Sequence, residues 1–151
     1  MMNEAELAWS AGFFDGEGSV SIARATKQNL GSLAVAVSQI DREPLDWMAG
    51  EWGGRVRRVT GKRADQREAW VWTIYANQAL AFLTAIEPHI RLDRNRERIA
   101  LAREFQEGAR FGRHGNNEEY RAWRFGCWQR MGWLNERGVR SLDLEEVTVD
   151  G

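Results

Sequence analysis

Ser10-Ala11-Gly12-Phe13-Phe14-Asp15-Gly16-Glu17-Gly18 combines small residues, two acids and the approach to a strand. Before and within it, Leu7, Ala8, Ala11 and Phe14 recur at helical spacing over residues 4–14. Glu4 and Glu6 lie early, where the helix dipole favours acids. Gly16 and Gly18 then predict the end of the helix. Ala8, Ala11, Gly12 and Gly16 are spaced to leave a flat strip, along which a second helix can approach with backbones nearly touching. Asp15 and Glu17 follow at the helix end, where a carboxylate meets the negative pole of the dipole and is unfavourable unless a cation compensates it. A close-packing strip followed by acids therefore places a metal ligand beside a symmetry axis. A glycine-rich helix stop with exposed acids explains each feature singly, but not their combination directly before a strand.

Working outward, residues 19–25 alternate, with Val20 and Ile22 on one face and Ser21 and Ala23 on the other. Asn29 and Gly31 supply a turn, and Leu33, Val35 and Val37 alternate with Ser32, Ala34, Ala36 and Ser38, so 18–39 reads as a hairpin. Asp41 is the expected N-cap of a helix through Leu45, Trp47, Met48 and Trp52, with Pro44 in its first turn and Gly53-Gly54 at its end. A second strand pair is expected over 55–60 and 69–75, joined by an exposed polar linker at 61–68. Asn77 is expected to cap a helix holding Leu80, Leu83 and Ile86, which Pro88 ends. A further helix is expected over 91–107, with Leu92, Ile99, Ala100 and Phe105 apolar, then a loop at 108–117 and a helix over 118–137 with Tyr120, Trp123, Trp128 and Met131. The order α-β-β-α-β-β-α followed by extra C-terminal helices, without any repeat, gives an α+β fold. Its parts are a core at 1–107, a helical extension at 108–138 packed on that core, and a loose tail at 139–151.

The 151 residues, 43% hydrophobic and 28% charged, suit one domain with a real core. No apolar run approaches the roughly 20 residues of a membrane span, and Met1-Met2-Asn3-Glu4 lacks the basic lead of a signal peptide. Cys127, the single cysteine, excludes an internal disulfide and a thiolate zinc cluster, and fits a reducing compartment, cytoplasmic or nucleoid-associated. The net charge of −1 is unusual for a nucleic-acid binder, but its distribution is uneven. Arg55, Arg57, Arg58, Lys62 and Arg63 stand without an acid among them, Arg91, Arg94, Arg96, Arg98 and Arg103 face only Asp93 and Glu97, and the acids collect near the chain ends. A neutral chain can present one basic face in this way; a solvated helix or strand surface shows the same runs.

Ala11-Gly12-Phe13-Phe14-Asp15-Gly16-Glu17-Gly18-Ser19 resembles the LAGLIDADG motif of homing endonucleases and related maturases. The α-β-β-α-β-β-α order over 4–105 is similar to that family's core, which has a curved antiparallel sheet. The resemblance implies a homodimer, because one copy of the motif is present, with the motif helices packed across a twofold axis through Ala8, Ala11, Gly12 and Asp15. It implies that Glu17 binds the catalytic metal, with the Gly16 carbonyl as a second ligand, and that Asp15 is structural. The implied cofactor is Mg2+, with Mn2+ or Ca2+ as substitutes in a non-cleaving complex. It also implies an active-site role for Gln39, which the strand pattern by itself places on the buried side with Leu33, Val35 and Val37, where an amide needs a partner. Relatives carry a lysine shortly after the proline that ends the third helix. Here Asp93 falls at that position, leaving Arg91 or Arg94 to take the role, and arginine stabilises charge but is a poor proton carrier.

The implied partner is double-stranded DNA with a long, nearly palindromic site, cut by metal-dependent phosphodiester hydrolysis. Ser32, Ala34, Ala36 and Ser38 would face it from one strand, Lys27 from the hairpin end, and Arg55 and Arg57 from the third strand. Arg58, Lys62 and Arg63 suit phosphate; Trp70 and Trp72 suit the core. Two rivals are open: a DNA-binding regulator or RNA-splicing maturase on the same fold, favoured by Asp93, and an HNH-type nuclease suggested by Arg113-His114-Gly115-Asn116-Asn117, for which His89 is the sole other histidine. Trp123, Phe125, Trp128 and Trp133 suit packing on the outer face of the core, or a protein–protein surface.

Overall fold

Asn3 opens the first helix, α1 (Glu4–Glu17). Its side chain accepts from the Glu6 N–H at 2.9 Å, while the Glu6 carboxylate accepts from the Asn3 N–H at 3.1 Å, the reciprocal cap that satisfies two otherwise orphaned donors. The computed structural model describes residues 2–23, 31–60, 68–109 and 118–149, with side chains of the last helix through Glu136. Lys27, Lys62, Arg63 and the motif at 113–117 lie outside the described residues. As the sequence expects, α1 ends between Gly16 and Gly18, running to Glu17. Gly16 lies within the last helical turn, and Gly18 marks the boundary, in extended conformation. A Cβ on Gly18 would lie 2.2 Å from the ring of Phe14, which is wholly buried. Only glycine lets the chain leave the helix this close to that ring.

After α1 come β1 (Gly18–Ile22), β2 (Leu33–Gln39), α2 (Glu43–Trp52), β3 (Arg55–Val59), β4 (Ala69–Tyr75), α3 (Ala76–Ile86), a short 3-10 turn (Glu87–His89), α4 (Asp93–Glu107) and α5 (Glu118–Val149). Each expected strand and helix of the core is present, and the fold is α+β. The strands form one antiparallel sheet in the order β1-β2-β4-β3. Both hairpins pair as their alternation requires, Val20 with Val35 and Val56 with Trp72. The hairpins meet at the centre, where Val35 faces Ile74 and Val37 faces Trp72.

Two caps differ from expectation. Arg42, not Asp41, precedes α2, and it makes no side-chain cap but reaches one turn ahead to Asp46 at 3.1 Å. Asn77 lies inside α3, which starts directly after β4, and its side-chain oxygen accepts from Gln106 at 2.8 Å. In α4 the inward residues are Asn95, Arg98, Ile99, Leu101, Ala102, Phe105 and Gln106, whereas Leu92 and Ala100 are exposed.

Burial divides the sheet cleanly. Val20, Leu33, Val35, Val37, Trp72 and Ile74 are fully buried beneath Phe14, Leu45, Met48, Phe82, Leu83 and Ile86. Phe82 is the hub, meeting Phe14, Trp52 and Trp72 edge-on with ring centroids 5.2–5.9 Å apart. Gly53 and Gly54, both at positive φ, reverse the chain so that the Gly53 carbonyl accepts from the Trp72 indole at 2.8 Å. On the opposite face Ser19, Ser21, Ala34, Ala36, Ser38, Val71, Thr73, Tyr75, Arg55 and Arg57 carry no helix among the described residues.

The last helix closes the open edge of β1. Tyr120, Arg124, Cys127, Met131 and Leu134, spaced three and four apart, turn inward. Asn135 donates to the Val20 carbonyl at 2.8 Å, and Arg124 donates to the Gly31 carbonyl at 2.6 Å and to the Tyr120 hydroxyl at 2.7 Å. Trp123 stacks on Phe105 with centroids 6.1 Å apart, while Phe125 and Trp133 are exposed. Residues 139–149, expected as tail, fall within the span of α5. Among the described residues no helix is long and apolar enough to cross a membrane.

Replacing Gly18 by Ala is expected to destabilise the chain by about 1–3 kcal/mol through overpacking against Phe14. Gly50→Ala in α2, whose added Cβ meets nothing within 4 Å, is expected to stabilise it by up to ~1 kcal/mol. Urea unfolding of both variants checks this; equal midpoints would contradict the close approach at Gly18.

Candidate metal centre and nucleic-acid interface

The acids of the motif have separate fates. Asp15, half-buried, accepts from the Arg91 backbone N–H and from the Asn95 amide, each at 2.8 Å. Arg91 lies just before α4 and Asn95 in its first turn, so Asp15 sits at the positive pole of that helix, which supplies the compensation the carboxylate lacks at the end of its own. Asp15 thus works inside its own chain. Glu17 is exposed and makes no hydrogen bond or ion pair among the described residues. The last turn of α1 holds no basic residue. A free carboxylate beside the negative end of a helix, next to the backbone carbonyl of Gly16, is an oxygen donor set of the kind hard divalent cations take.

Register places the neighbours. Gly18 pairs with Val37, which brings Glu17 to the level of Ser38, with Gln39 one step further along β2. Gln39 is half-buried opposite Trp70; its carbonyl oxygen accepts from the Ile40 N–H at 2.8 Å, and its amide nitrogen has no partner among the described residues. Asp93 is engaged by Arg96 at 2.5 Å, and Arg96 also donates to the Ile90 carbonyl at 2.6 Å. The side chains of Arg91 and Arg94 are exposed and unpaired among the described residues. Arg91 is tied to the motif through its backbone bond to Asp15, whereas Arg94 lies beside the buried Arg98. Burial, with the charge of Arg94 adding, pushes the Arg98 guanidinium below its usual pKa.

The basic residues of β3 do not form one row. Arg55 faces Thr73 and Arg57 faces Val71 on the helix-free side, and neither is paired among the described residues. Arg58 faces Trp70 on the other side and is ion-paired with Glu68. Ser32 and Ser38 lie at opposite ends of β2, half-buried and exposed respectively. The helix-free side also carries Thr73 and Tyr75, the latter 57% exposed, between the hydroxyl-bearing β1–β2 half and the arginines. The strand alternation of 69–75 would have pointed to them.

The small-residue strip needs one correction. Ala11 is wholly buried against its own chain with Ser10 and Phe14, because the helical turn carries it to the inner side. Ala8, Gly12 and Gly16 are exposed, and a Cβ on either glycine meets nothing within 4 Å. Trp9 flanks the strip at 47% exposure, stacked on Phe13 at 5.0 Å and edge-on to Trp47 at 5.2 Å. On the other flank Ala8, Gly12, Ile90, Arg91 and Arg96 line a depression of about 500 Å³.

Asp15→Ala is expected to cost about 1.5–3 kcal/mol of folding stability, the range for hydrogen bonds to a charged group. A loss below about 0.5 kcal/mol in urea unfolding, the range of ordinary surface substitutions, would mean that the junction with α4 does not hold the helix end.

No protein-family model matches the chain, and no curated protein sequence does. Solved structures do. The homing endonuclease I-CvuI, in complex with its target in the presence of calcium, superposes with a TM-score of 0.69 at 16% identity, over 86% of this chain and 82% of its own. The group I intron-encoded homing endonuclease I-CeuI, complexed with DNA, gives 0.63 at 17% identity over 87% of this chain and 68% of its own. The LAGLIDADG meganuclease I-AabMI, bound to uncleaved DNA, gives 0.64 at 17% identity over 84% of this chain and only 44% of its own. The helix-capped four-stranded sheet with Glu17 at the foot of its first strand is the fold of the LAGLIDADG homing endonucleases.

Proposed function

We propose that this chain is a site-specific DNA endonuclease that acts as a homodimer on a long pseudo-palindromic duplex, by divalent-metal-dependent phosphodiester hydrolysis. The observation that carries the reading is the Glu17 carboxylate, unpartnered among the described residues, at the foot of a sheet whose helix-free face is edged by Arg55 and Arg57, likewise unpaired among them. A ribbon of strands fits the major groove, where base edges differ. The small Ser19, Ala34 and Ala36 allow close approach, and arginine suits guanine edges. Lys62 and Arg63 would suit phosphate contacts.

Several features support the dimer. The exposed strip of Ala8, Gly12 and Gly16 admits a second helix at short distance, and the neighbouring Trp9 offers apolar surface to cover. One chain matches a little under half of I-AabMI. Among the described residues one chain gathers no group of three or more acid, histidine or cysteine ligands. Glu17 and the Gly16 carbonyl, from each of two chains, would be the residues that hold Mg2+ or a similar cation, together with DNA phosphate oxygens. When bound, such a cation would stabilise charge on the phosphoryl and leaving oxygens and lower the pKa of water enough to supply hydroxide as the nucleophile. Glu17 would hold it, the Gln39 amide, unpartnered among the described residues, would orient solvent, and Arg91 would stabilise developing negative charge. I-CvuI is seen with its DNA target in the presence of calcium.

Asp93, where the family resemblance expects lysine, favours a second reading: a DNA-binding regulator or maturase that binds without cutting. Its carboxylate is engaged by Arg96, and a carboxylate cannot supply the positive charge that a lysine would bring to that position.

In a randomised duplex library with Mg2+, the wild-type chain is expected to enrich a pseudo-palindrome and cut it. Glu17→Gln is expected to lower cleavage by at least roughly 1000-fold, a loss of several kcal/mol of charge stabilisation, with binding retained. Enrichment without any cut product decides for the regulator, and a fully active Glu17→Gln chain removes the metal assignment. Gly12→Leu is expected to convert dimer to monomer in sedimentation while leaving the monomer folded, since the added side chain points into open space within its own chain.

A further inference from the structure

We propose that Asn95 and Arg98 are positioning residues that couple the C-terminal helix α5 to the end of the motif helix. The catalytic consequence rests on the endonuclease reading; the coupling itself does not.

A single directed chain of hydrogen bonds links the two elements. Arg98 donates through Nη2 to the Leu134 carbonyl of α5 at 3.2 Å and through Nη1 to Asn95 Oδ1 at 2.9 Å. Asn95 Nδ2 donates to Asp15 Oδ1 at 2.8 Å, and Asp15 Oδ2 accepts from the Arg91 backbone N–H at 2.8 Å. Chemistry fixes the direction. A guanidinium can only donate, so Asn95 must turn its carbonyl oxygen toward Arg98 and its amide nitrogen toward Asp15. Replacing the guanidinium by an apolar group frees the amide to turn round, and a reversed amide sets oxygen against carboxylate.

Both residues are buried, Asn95 at 1% and Arg98 at 9% exposure, and Arg98 Nε has no partner among the described residues. A buried guanidinium left partly unsatisfied opposes folding, and an apolar side chain of similar volume generally serves stability better. Its place in the chain from α5 to the motif gives it a purpose that stability does not. Asp15 immediately precedes Gly16 and stands two residues before Glu17, and the last turn of α1 has no basic residue of its own. The Asp15 junction therefore sets where the Gly16 carbonyl and the Glu17 carboxylate sit relative to Arg91. A displacement of about 1 Å in such groups costs on the order of 100-fold in rate.

The test uses the full chain. Arg98→Met removes the donors, and Met131→Ala, a buried α5 position outside the chain of bonds, serves as a control for loss of packing. At a temperature below both unfolding transitions, Arg98→Met is expected to speed hydrogen exchange of the Arg91 amide about tenfold or more relative to α3 amides, while Met131→Ala changes both alike. On the enriched duplex, kcat is expected to fall roughly 10–100-fold, with Kd within about threefold of wild type. Should Arg98→Met not fold, Arg98→Lys, which keeps one donor within reach of Asn95, is expected to lie between wild type and loss in both measurements. Equal effects of the Arg98 variants and Met131→Ala on Arg91 exchange would overturn the coupling. Selective loss of protection with unchanged kcat would overturn the positioning role. If wild type cuts no duplex, the endonuclease reading falls, and the exchange arm still decides the coupling.

Discussion

The Asp15 carboxylate is the joint on which this structure depends. A helix ending in acids is electrostatically unfavourable, and α1 ends with Asp15 and Glu17 within its last turn. The fold resolves half of the problem by bringing the start of α4 against Asp15, where a backbone N–H and the Asn95 amide supply two short hydrogen bonds. That contact spans most of the length of the core in sequence and closes the layer of helices over the sheet. Because Asp15 is satisfied internally, Glu17 is the acid left over. One negative charge remains at a helix end with no partner among the described residues, where the proposed cation would bring compensation.

The sheet separates stability from recognition by alternation. Every second residue of β1, β2 and β4 enters the aromatic and aliphatic core around Phe82, and the residues between them face away from the helices. Side chains on the free face can vary without disturbing packing, as the proposed matching of a base sequence would require. The arrangement also explains why an overall charge near zero does not conflict with nucleic-acid binding. Among the described residues Arg55 and Arg57 stand unpaired on the free face, while Arg42, Arg58, Arg96, Arg103 and Arg130 are matched with carboxylates elsewhere.

The C-terminal helix is more than a cover. It satisfies the outward Val20 carbonyl of the edge strand, holds the Gly31 carbonyl with a buried arginine that also lies over Phe105, and reaches the motif through Arg98. Edge strands invite unwanted pairing with other chains, and closing β1 with side-chain donors removes that liability on one side of the sheet.

Local pattern determined a great deal. The two hairpins, the helices between them, the boundaries of 69–75 and the motif with Glu17 are all legible in sequence, because periods of two and 3.6 residues and glycine positions report on neighbouring residues. Tertiary structure alone decided the rest. Ala11 and Gly12 are both small, and only packing shows that one faces the core and the other solvent. Asn95 and Arg98 lie in a run of charges that reads as a solvated surface, yet they are buried, because their partners, Asp15 and Leu134, come from distant parts of the chain. Periodicity records which side of an element is apolar; it carries no record of a hydrogen bond whose donor and acceptor meet only when the chain is folded.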